Sequence, residues 1–384
     1  ARAFAAQAWV QLYARAQTWQ SLQEASSVFE APYRRAPQVG LRHDGAGHGF
    51  EWSLTLEGNR FTHADPAKLQ GSRAHAIGSL ALPVGDDGWR LTPRLALNAA
   101  AYATEAAMAD GRLRAHRVIP SFSLDSAWTF ERPTAAFGRA LTQTLEPRLL
   151  YLRTAYRDQS ALPDFDSGIN DFNAVSVFAD RAFSGVDRVA DADQITAGLT
   201  TRFLDATTGA EAARLGLAQR YLLRDQRITA DGQPLTQRFS DVLLTGATTA
   251  LPSWSLEGSM QYSPEVDRLV RSIASVRYSP GPFRTVNATY RLLRGTSEQM
   301  ELGWQWPLNG PVGLGTSLMR WWDRDDVRPA PSPENWEVQS LRLARRLPEL
   351  QVPSQKSGIV SAYDITDDWI PIYDRTSLPG YYVA

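Results

Sequence analysis

Apolar and polar residues alternate one by one along most of the chain between residue 50 and residue 322. In FEWSLTLEGN, residues 50–59, the even positions up to Leu56 are apolar and the odd positions are polar or charged. Because successive side chains of a strand point to opposite faces, this pattern predicts strands with one apolar and one polar face. The same alternation recurs in PSFSLDSAWTFER (120–132), QITAGLTTRFL (194–204), WSLEGSMQY (254–262) and MELGWQW (300–306).

About a dozen such segments follow one another, each near the roughly 9–11 residues that a tilted membrane strand needs. Turn-forming sequences separate them, such as DDG at residues 86–88 and ADG at residues 230–232. Helical periodicity is nearly absent before residue 330. The pattern therefore predicts an all-β, antiparallel fold.

Two all-β folds have this periodicity. A soluble sandwich turns the apolar face inward, whereas a membrane barrel turns it toward lipid and the polar face toward a wet lumen. Arginine and glutamate stand in mid-strand on the polar faces, and aromatic residues gather at the strand ends. The strand-like segments also run on for longer than a compact sandwich holds. We therefore predict an antiparallel transmembrane β-barrel.

The polar faces supply the candidate functional residues. Glu146, Arg148, Arg202 and Arg220 occupy polar positions of predicted strands, and we predict that they face the lumen. Lumen arginines could guide a phosphorylated ligand through bidentate hydrogen bonds. They could equally pair with lumen carboxylates such as Glu146, and the sequence leaves both interpretations open.

One long acidic stretch, residues 156–194, interrupts the strand pattern. We predict a surface loop at the barrel rim, since a loop in water needs no internal pairing of its backbone. Asp187, Asp191 and Asp193 within it suggest calcium, but the spacing, the turn glycine and the closing glutamate of an EF-hand are missing. A solvated loop is the favoured interpretation.

Other candidate chemistry is weak, and we predict no catalytic, cofactor-binding or metal site. His43, Asp44 and His48 could ligate a metal, but the glycines between them and the strand that follows favour a hairpin turn. Ser184 lacks the Gly-x-Ser-x-Gly frame of a nucleophile elbow. The chain has no cysteine, which excludes disulfides and thiolate sites. Its net charge of −1 argues against a nucleic-acid partner.

The block LTQTLEPRLLYLRTAYRDQSALPDFDSGINDFNAVSVFADRAFSGVDRVADADQITAGLTTRFLD, residues 141–205, carries a family resemblance, together with PYRRAPQVGL (32–41) and SPEVDRLVRS (263–272). It resembles the barrel region of the LptD (OstA) family of LPS-assembly proteins, and the resemblance extends over residues 1 to 318. It implies a very large outer-membrane barrel that inserts lipopolysaccharide into the outer leaflet and that is a translocon, not an enzyme. It also implies an LptE-type lipoprotein plug inside the barrel and periplasmic bridge proteins that deliver the lipid.

The sequence lacks several parts that members of this family have. The jellyroll domain that receives lipid, the early strands and the closing strands have no counterpart here, and the chain begins without Met and stops in an apolar run. We therefore expect an incomplete barrel fragment over residues 1–320.

The remaining residues, 321–384, are expected to form an unrelated α/β tail. In ENWEVQSLRLARRLPEL, residues 334–350, the spacing of Trp336, Leu343, Ala344 and Leu347 predicts a helix. Residues 364–384 resemble the FAD-dependent D-amino-acid oxidase-like family, but no Gly-rich dinucleotide turn is present, so we expect no flavin. The alternatives to a lipopolysaccharide translocon are therefore a generic porin-like barrel and, from the tail, a flavin-dependent oxidoreductase fragment.

Overall fold

The computed structural model describes residues 7–19, 31–307, 312–322, 336–345 and 369–371, with side chains described for residues 9–19 and 31–306. In these ranges the chain forms strands and one 3₁₀ turn, Ser176–Phe178. The strands are β1 Gln7–Gln17, β2 Arg34–Gly47, β3 Phe50–Thr62, β4 Gly71–Ala81, β5 Val84–Gly85, β6 Trp89–Thr104, β7 Arg114–Trp128, β8 Phe130–Ala136, β9 Arg139–Thr154, β10 Ala192–Asp205, β11 Glu211–Leu222, β12 Val242–Thr248, β13 Trp254–Ser263, β14 Arg268–Gly281, β15 Arg284–Leu293, β16 Ser297–Pro307, β17 Val312–Trp322, β18 Trp336–Arg345 and β19 Trp369–Pro371.

The chain divides into two units, each described by itself below. The first unit comprises Ala1–Glu131, Leu145–Thr200 and Leu217–Val242. The second unit comprises Arg132–Thr144, Thr201–Gly216 and Leu243–Ala384.

In the first unit, sequence neighbours pair as antiparallel strands. β2 pairs with β1 and β3, β4 with β3 and β6, and β7 with β6 and β9. β2 and β3 are joined by a two-residue turn, with Gly47 opposite Phe50. Both turn residues have positive φ, 54° at His48 and 84° at Gly49, as a type I′ hairpin requires. The hairpin predicted around His43 and His48 is therefore confirmed.

In the second unit, the strands from β13 to β19 also pair antiparallel with their sequence neighbours. On one face of β15 and β16, Arg291 donates a hydrogen bond to Glu301 at 2.9 Å. Val286 of β15 and Met300 of β16 stand at even-numbered positions, on the face opposite Arg291 and Glu301, and both are exposed. Each strand therefore has a polar and an apolar face, as the alternation predicted.

The two faces are reversed relative to a soluble protein. On β6, Leu95 is 61% exposed and Leu97 is 47% exposed, whereas on β4 the side chains of Arg73 and His75 are buried. A soluble sandwich buries its leucines, and a membrane barrel turns them toward lipid. This observation decides between the two folds left open by periodicity and confirms the predicted all-β transmembrane barrel class. We call the face with exposed apolar side chains the outer face and the opposite one the inner face.

Residues 155–191, between β9 and β10, pack against the inner face of the first unit. We call them the inner segment. Phe165 and Leu162 of this segment form a buried cluster with side chains of the strands and the loop after β6, namely Phe61, Ala100, Tyr102, Met108 and Ala115. The prediction of a solvated surface loop is therefore wrong for this stretch. Its apolar residues gain more by burial against the strands than they would at a wet rim.

The predicted helix is also wrong for Trp336, Leu343 and Ala344, because residues 336–345 form β18, and Leu347 lies outside the described residues. β18 pairs with β17, and its register shifts where Ser317 and Leu318 face Ser340 and Val338. A bulge adds one residue to a strand, and the resulting uneven spacing of apolar residues in the sequence imitates a helical period. The α/β assignment of the tail is thus corrected at β18. The stretch 364–384 lies outside the described residues except for β19.

In the described part of the chain, no helix has the length and hydrophobicity to cross a membrane.

Candidate functional site

The inner face of β1, β2 and β3 carries a hydrogen-bonded network around the carboxylate of Glu57. The hydroxyl of Tyr13 donates to Glu57 at 2.5 Å, and the side-chain amide of Gln38 donates at 2.8 Å. Asn59 donates to the second carboxylate oxygen at 2.7 Å. A partly buried carboxylate gains from such donors, because an unsatisfied charge withdrawn from bulk water is costly. The network therefore gives this part of the inner face a fixed polar surface.

Gly40 makes the position of Tyr13 possible, and its replacement by alanine should be destabilising. A Cβ at Gly40 would lie 2.3 Å from Tyr13 Cζ, so the ring would have to leave Glu57. We expect a loss of about 1–3 kcal/mol in the free energy of unfolding, as for other overpacked sites. Urea unfolding followed by tryptophan fluorescence measures this loss. Gly58→Ala is the matched control, because a Cβ there meets no atom within 4 Å, and equal losses in both variants would contradict the explanation.

The main anchor of the inner segment is the guanidinium of Arg73, on β4. Its Nη1 donates to Asp187 Oδ1 and its Nη2 to Asp166 Oδ2, both at 2.8 Å. The exposed fraction is 0% for the Arg73 and Asp187 side chains and 2% for that of Asp166. Arg35 of β2 lies 3.3 Å from the same Asp166 oxygen, so two cations face two carboxylates. The two positive and two negative charges of this cluster cancel.

Backbone donors satisfy the remaining carboxylate oxygens of the cluster. The N–H of Phe165 donates to Asp187 at 2.7 Å, and the N–H of Val186 donates to Asp166 at 3.0 Å. Burial alone would raise the pKa of Asp166, but the hydrogen bond and charge of Arg73 outweigh it and lower that pKa to about 2. The stabilisation by Asp166 is therefore fully present above the ordinary carboxyl pKa of 3.8 and is lost as the pH falls through about 2.

Aromatic packing reinforces this anchor. The rings of Phe61 on β3 and Phe165 of the inner segment stack with centroids 4.5 Å apart, and Tyr33 meets Phe165 edge-on at 5.2 Å. The Arg73 guanidinium lies 4.9 Å from the Phe61 centroid. The apolar walls exclude water from the ion pairs, which strengthens them.

Further side chains of the inner face hold the segment at other points. Arg117 of β7 donates to the carbonyl of Val186, and Arg94 of β6 donates to Asp180 Oδ2 at 2.6 Å. The carbonyl of Val177 accepts from Thr196 at 3.3 Å. These contacts reach the segment from three different strands, so it is attached along its length.

The model of the family LptD, described as LPS transport system D, matches residues 1–321.

The chain belongs to the LptD family.

Relatives support this assignment. The chain is 44% identical over 302 residues to the LPS-assembly protein LptD of Polaromonas sp.. The match covers 76% of this chain and 37% of the relative. The chain is 40% identical over 338 residues to the LPS-assembly protein LptD of Acidovorax sp., covering 85% of this chain and 40% of the relative. The chain thus spans less than half the length of these LptD relatives.

A solved structure, the siderophore receptor PiuA from Acinetobacter baumannii, matches with a TM-score of 0.30 and 9% identity, covering 81% of this chain and 59% of that one. A match this weak carries no argument. The LptD family and the exposed apolar faces of the strands together identify the chain as part of an outer-membrane protein.

Two of the four residues predicted to line the LptD lumen are Arg148 and Arg220, which hold partners within the first unit. Arg148 of β9 forms a bidentate pair with Asp125 of β7, at 2.9 and 2.7 Å, and its guanidinium lies 4.4 Å from the Phe178 ring centroid. Arg220 of β11 donates to the carbonyl of Val177 at 2.8 Å. Two of the four thus contact the inner segment.

The other two predicted residues are Arg202 of β10 and Glu146 of β9. Arg202 of β10 lies 3.8 Å from Glu211, a distance at which the pair is weak. Glu146 stands next to the exposed Leu145 in β9.

The aspartates considered for calcium are held by separate partners. Asp187 belongs to the Arg73 anchor, whereas Asp191 accepts from the N–H groups of Arg227 and Ile228 at 2.9 and 2.8 Å. Asp193 accepts from the Tyr151 hydroxyl at 3.2 Å. Among the described residues, no three His, Asp or Glu side chains gather as metal ligands.

A cavity of about 470 Å³ opens where β9 ends and β10 begins, and the sequence did not indicate it. Arginines and aspartates line it together, and they form ion pairs with each other across it. Because these charges largely cancel, the cavity has little excess charge with which to attract an anion. The pairs are Arg224–Asp193 at 3.2 Å, Arg227–Asp191 at 3.9 Å and Arg238–Asp225 at 3.3 Å.

Sequence reasoning missed Arg73, the central residue of the site. One signal was available, because Asp166 and Asp187 flank a phenylalanine-rich stretch and would need a counter-charge if that stretch were buried. Nothing in the local pattern indicates which of the 40 Lys and Arg residues supplies it.

Proposed function

We propose that this chain is part of the barrel of a lipopolysaccharide translocon, which transports lipopolysaccharide and assembles it at the outer membrane. The observation that carries the proposal is the reversed strand pattern, apolar outside and polar inside, in a chain of the LptD family. A polar inner face suits the passage of a sugar–phosphate headgroup, while the outer face meets lipid.

The partners proposed are those of a translocon. They are lipopolysaccharide, an LptE-type lipoprotein plug, periplasmic bridge proteins and the lipid of the outer membrane, and nucleic acid is not among them. The names of the relatives, LPS-assembly protein LptD, support the lipid substrate. The plug and the bridge rest on the family resemblance alone.

We further propose that Glu146, Arg148, Arg202 and Arg220 face the lumen. The alternation of β9 supports this for Glu146 and Arg148, since the exposed Leu145 and Leu149 occupy the opposite parity. Arg148 and Arg220 favour the structural interpretation over ligand guidance, because each already holds a partner within the protein.

The protein is proposed to act without catalysis or a cofactor, and its residues 321–384 to be unrelated in sequence to the barrel family, although β18 of this tail pairs with β17. The end of the family match at residue 321 supports this division. The flavin-enzyme resemblance of the tail stays a prediction. Flavin absorbance in the purified protein would support that resemblance, and a colourless protein would argue against it.

The test of the function is complementation by the full-length protein that contains this chain. Cells depleted of their own lipopolysaccharide translocon should regain surface lipopolysaccharide when this protein is expressed, as measured by surface labelling. A porin-like barrel would instead raise the uptake of small solutes and leave lipopolysaccharide inside the cell. That second outcome would overturn the proposal.

A further inference from the structure

The two ends of the strands in the first unit differ in their connections. At one end β2 and β3 are joined by a two-residue turn, at residues 48–49. The connections at the other end include residues 105–113, residues 223–241 and the inner segment. Bacterial outer-membrane barrels have short turns on the periplasmic side and longer loops on the cell-surface side. The end at which β7 begins, with Arg114, therefore faces the cell surface.

At this end the outer face of β7 carries two basic side chains. Arg114 and His116 are exposed, in phase with the exposed Val118, whereas Ala115 and Arg117 between them are buried. Because alternate residues of a strand share a face, Arg114 and His116 stand on the side that meets lipid.

The depth of these side chains in the membrane follows from the opposite end of β7. Trp89 and Trp128 face each other in the pairing of β6 with β7, and they are 40% and 39% exposed. Exposed tryptophans on membrane strands mark the interface between lipid and water. An apolar band about 25 Å tall spans about ten residues of a strand tilted by about 40°, so the band ends near Val118. His116 and Arg114 then lie at the depth of the lipid headgroups.

Both side chains are open to a ligand from the membrane. In the part of the chain that the structure describes, the side chains of Arg114 and His116 have no ion-pair or hydrogen-bond partner. Their neighbours across the pairing with β6 are Ala103 and Ala101, both exposed. Such short side chains leave the guanidinium and the imidazole accessible from the lipid side.

The carboxylates nearest to Arg114 in the chain are already neutralised. Glu105 accepts a hydrogen bond from Arg60 of β3 at 2.6 Å, and Asp110 pairs with Arg112. The charges of these two ion pairs cancel, so Arg114 gives this end of β6 and β7 an excess positive charge. Anionic lipids carry the complementary charge.

We propose that the outer face of β6 and β7 binds an anionic, phosphorylated lipid of the outer leaflet, with its phosphate at Arg114 and His116. The guanidinium donates two parallel hydrogen bonds to the phosphate oxygens, and the imidazole donates one. The occupant is a lipid and not free phosphate, because both side chains stand directly above the apolar face that begins at Val118. This site is on the outside of the strands, so it does not depend on transport along the polar inner face.

The test measures which lipid lies beside the site in the full-length protein. Val118 is replaced by the photo-crosslinking amino acid benzoylphenylalanine, and the protein is reconstituted in vesicles of phosphatidylcholine with a minor share of bisphosphorylated lipid A. Mass spectrometry of the crosslinked peptide then gives the ratio of the two lipids at this position. We expect lipid A to be enriched about fivefold or more over its share of the vesicle, because its phosphates accept charge-assisted hydrogen bonds.

Leu56 of β3 is the matched control position for the crosslinker. It lies level with Val118 across the paired strands, and it is as far along its strand from Arg60 as Val118 is from Arg114. Because Glu105 already neutralises Arg60, the lipid ratio at position 56 should stay close to that of the vesicle. Equal enrichment at positions 56 and 118 would overturn the site at Arg114.

Substitutions at the site complete the test. Arg114→Gln with His116→Gln should return the ratio at position 118 to that of the vesicle. Arg90→Gln removes an exposed arginine from the other end of β6 and should leave the enrichment unchanged. Persistent enrichment in the double variant would overturn the proposal, and enrichment that millimolar inorganic phosphate abolishes would overturn the assignment to a lipid.

This result is independent of the proposed function. The enrichment is measured in vesicles in which no lipopolysaccharide is delivered, whereas the complementation experiment measures delivery in cells. If complementation fails and the enrichment persists, the translocon proposal fails and the lipid site stands. If complementation succeeds and position 118 shows the vesicle ratio, the lipid site fails alone.

Discussion

Arg73→Met is expected to lower the free energy of unfolding by about 3–5 kcal/mol, the cost of leaving a buried ion without its partner. Asp166 and Asp187 would remain buried with one fewer counter-charge, and Arg35 lies 3.3 Å from Asp166 alone of the two carboxylates. Urea unfolding of the full-length protein in lipid vesicles, followed by tryptophan fluorescence, measures the loss. Trypsin gives a local measurement, because Arg157, Arg181 and Arg188 lie within the inner segment and should be cleaved faster.

Arg60→Met is the control for this substitution. Arg60 also makes a 2.6 Å ion pair, with Glu105, but the two side chains are 51% and 52% exposed. Exposed pairs contribute about 0–1 kcal/mol, so this variant should unfold nearly as the unaltered protein does. Similar losses in the two variants would show that the Arg73 cluster is no more important than a surface pair.

Leu95→Arg is expected to lower the free energy of unfolding by about 2–4 kcal/mol, the cost of a cation on the lipid face near mid-membrane. Leu95 is the most exposed leucine of β6, and it lies near the middle of the strand. The same unfolding experiment in lipid vesicles measures the effect. The yield of folded protein in the outer membrane should fall in parallel.

Ala96→Arg provides the comparison, because it adds the same side chain one position along β6. Ala96 lies on the inner face and is half-buried, next to the polar position of Arg94. An arginine there keeps access to water and to other polar groups, so its cost should be smaller than that of Leu95→Arg. A larger loss for Ala96→Arg would mean that the inner and outer faces of β6 have been exchanged.

The strand pattern could be predicted from the sequence because side-chain alternation is a local property. The assignment of even positions in FEWSLTLEGN to the apolar face agrees with the structure, where Leu56 is exposed and Asn59 is buried. The turn at His48 and Gly49 was also readable, since it depends on two adjacent residues. Periodicity did not show which face of the strands meets lipid. The burial of Arg73 and the exposure of Leu95 in the structure decided that question.

By itself the sequence determined the all-β class, the approximate strands and the family. Tertiary structure decided the position of residues 155–191 and the strand at Trp336–Arg345. The reason is the same in both cases, because the deciding partner lies elsewhere in the chain. Asp187 and Asp166 are buried against an arginine 114 and 93 residues away, and β18 forms along the edge of β17 with a bulge that hides its period. Alternation along a strand shows which residues share each of its two faces, because it depends on neighbouring residues alone. The position of a charged loop depends on the distant residues that neutralise its charges, and the local sequence does not identify them.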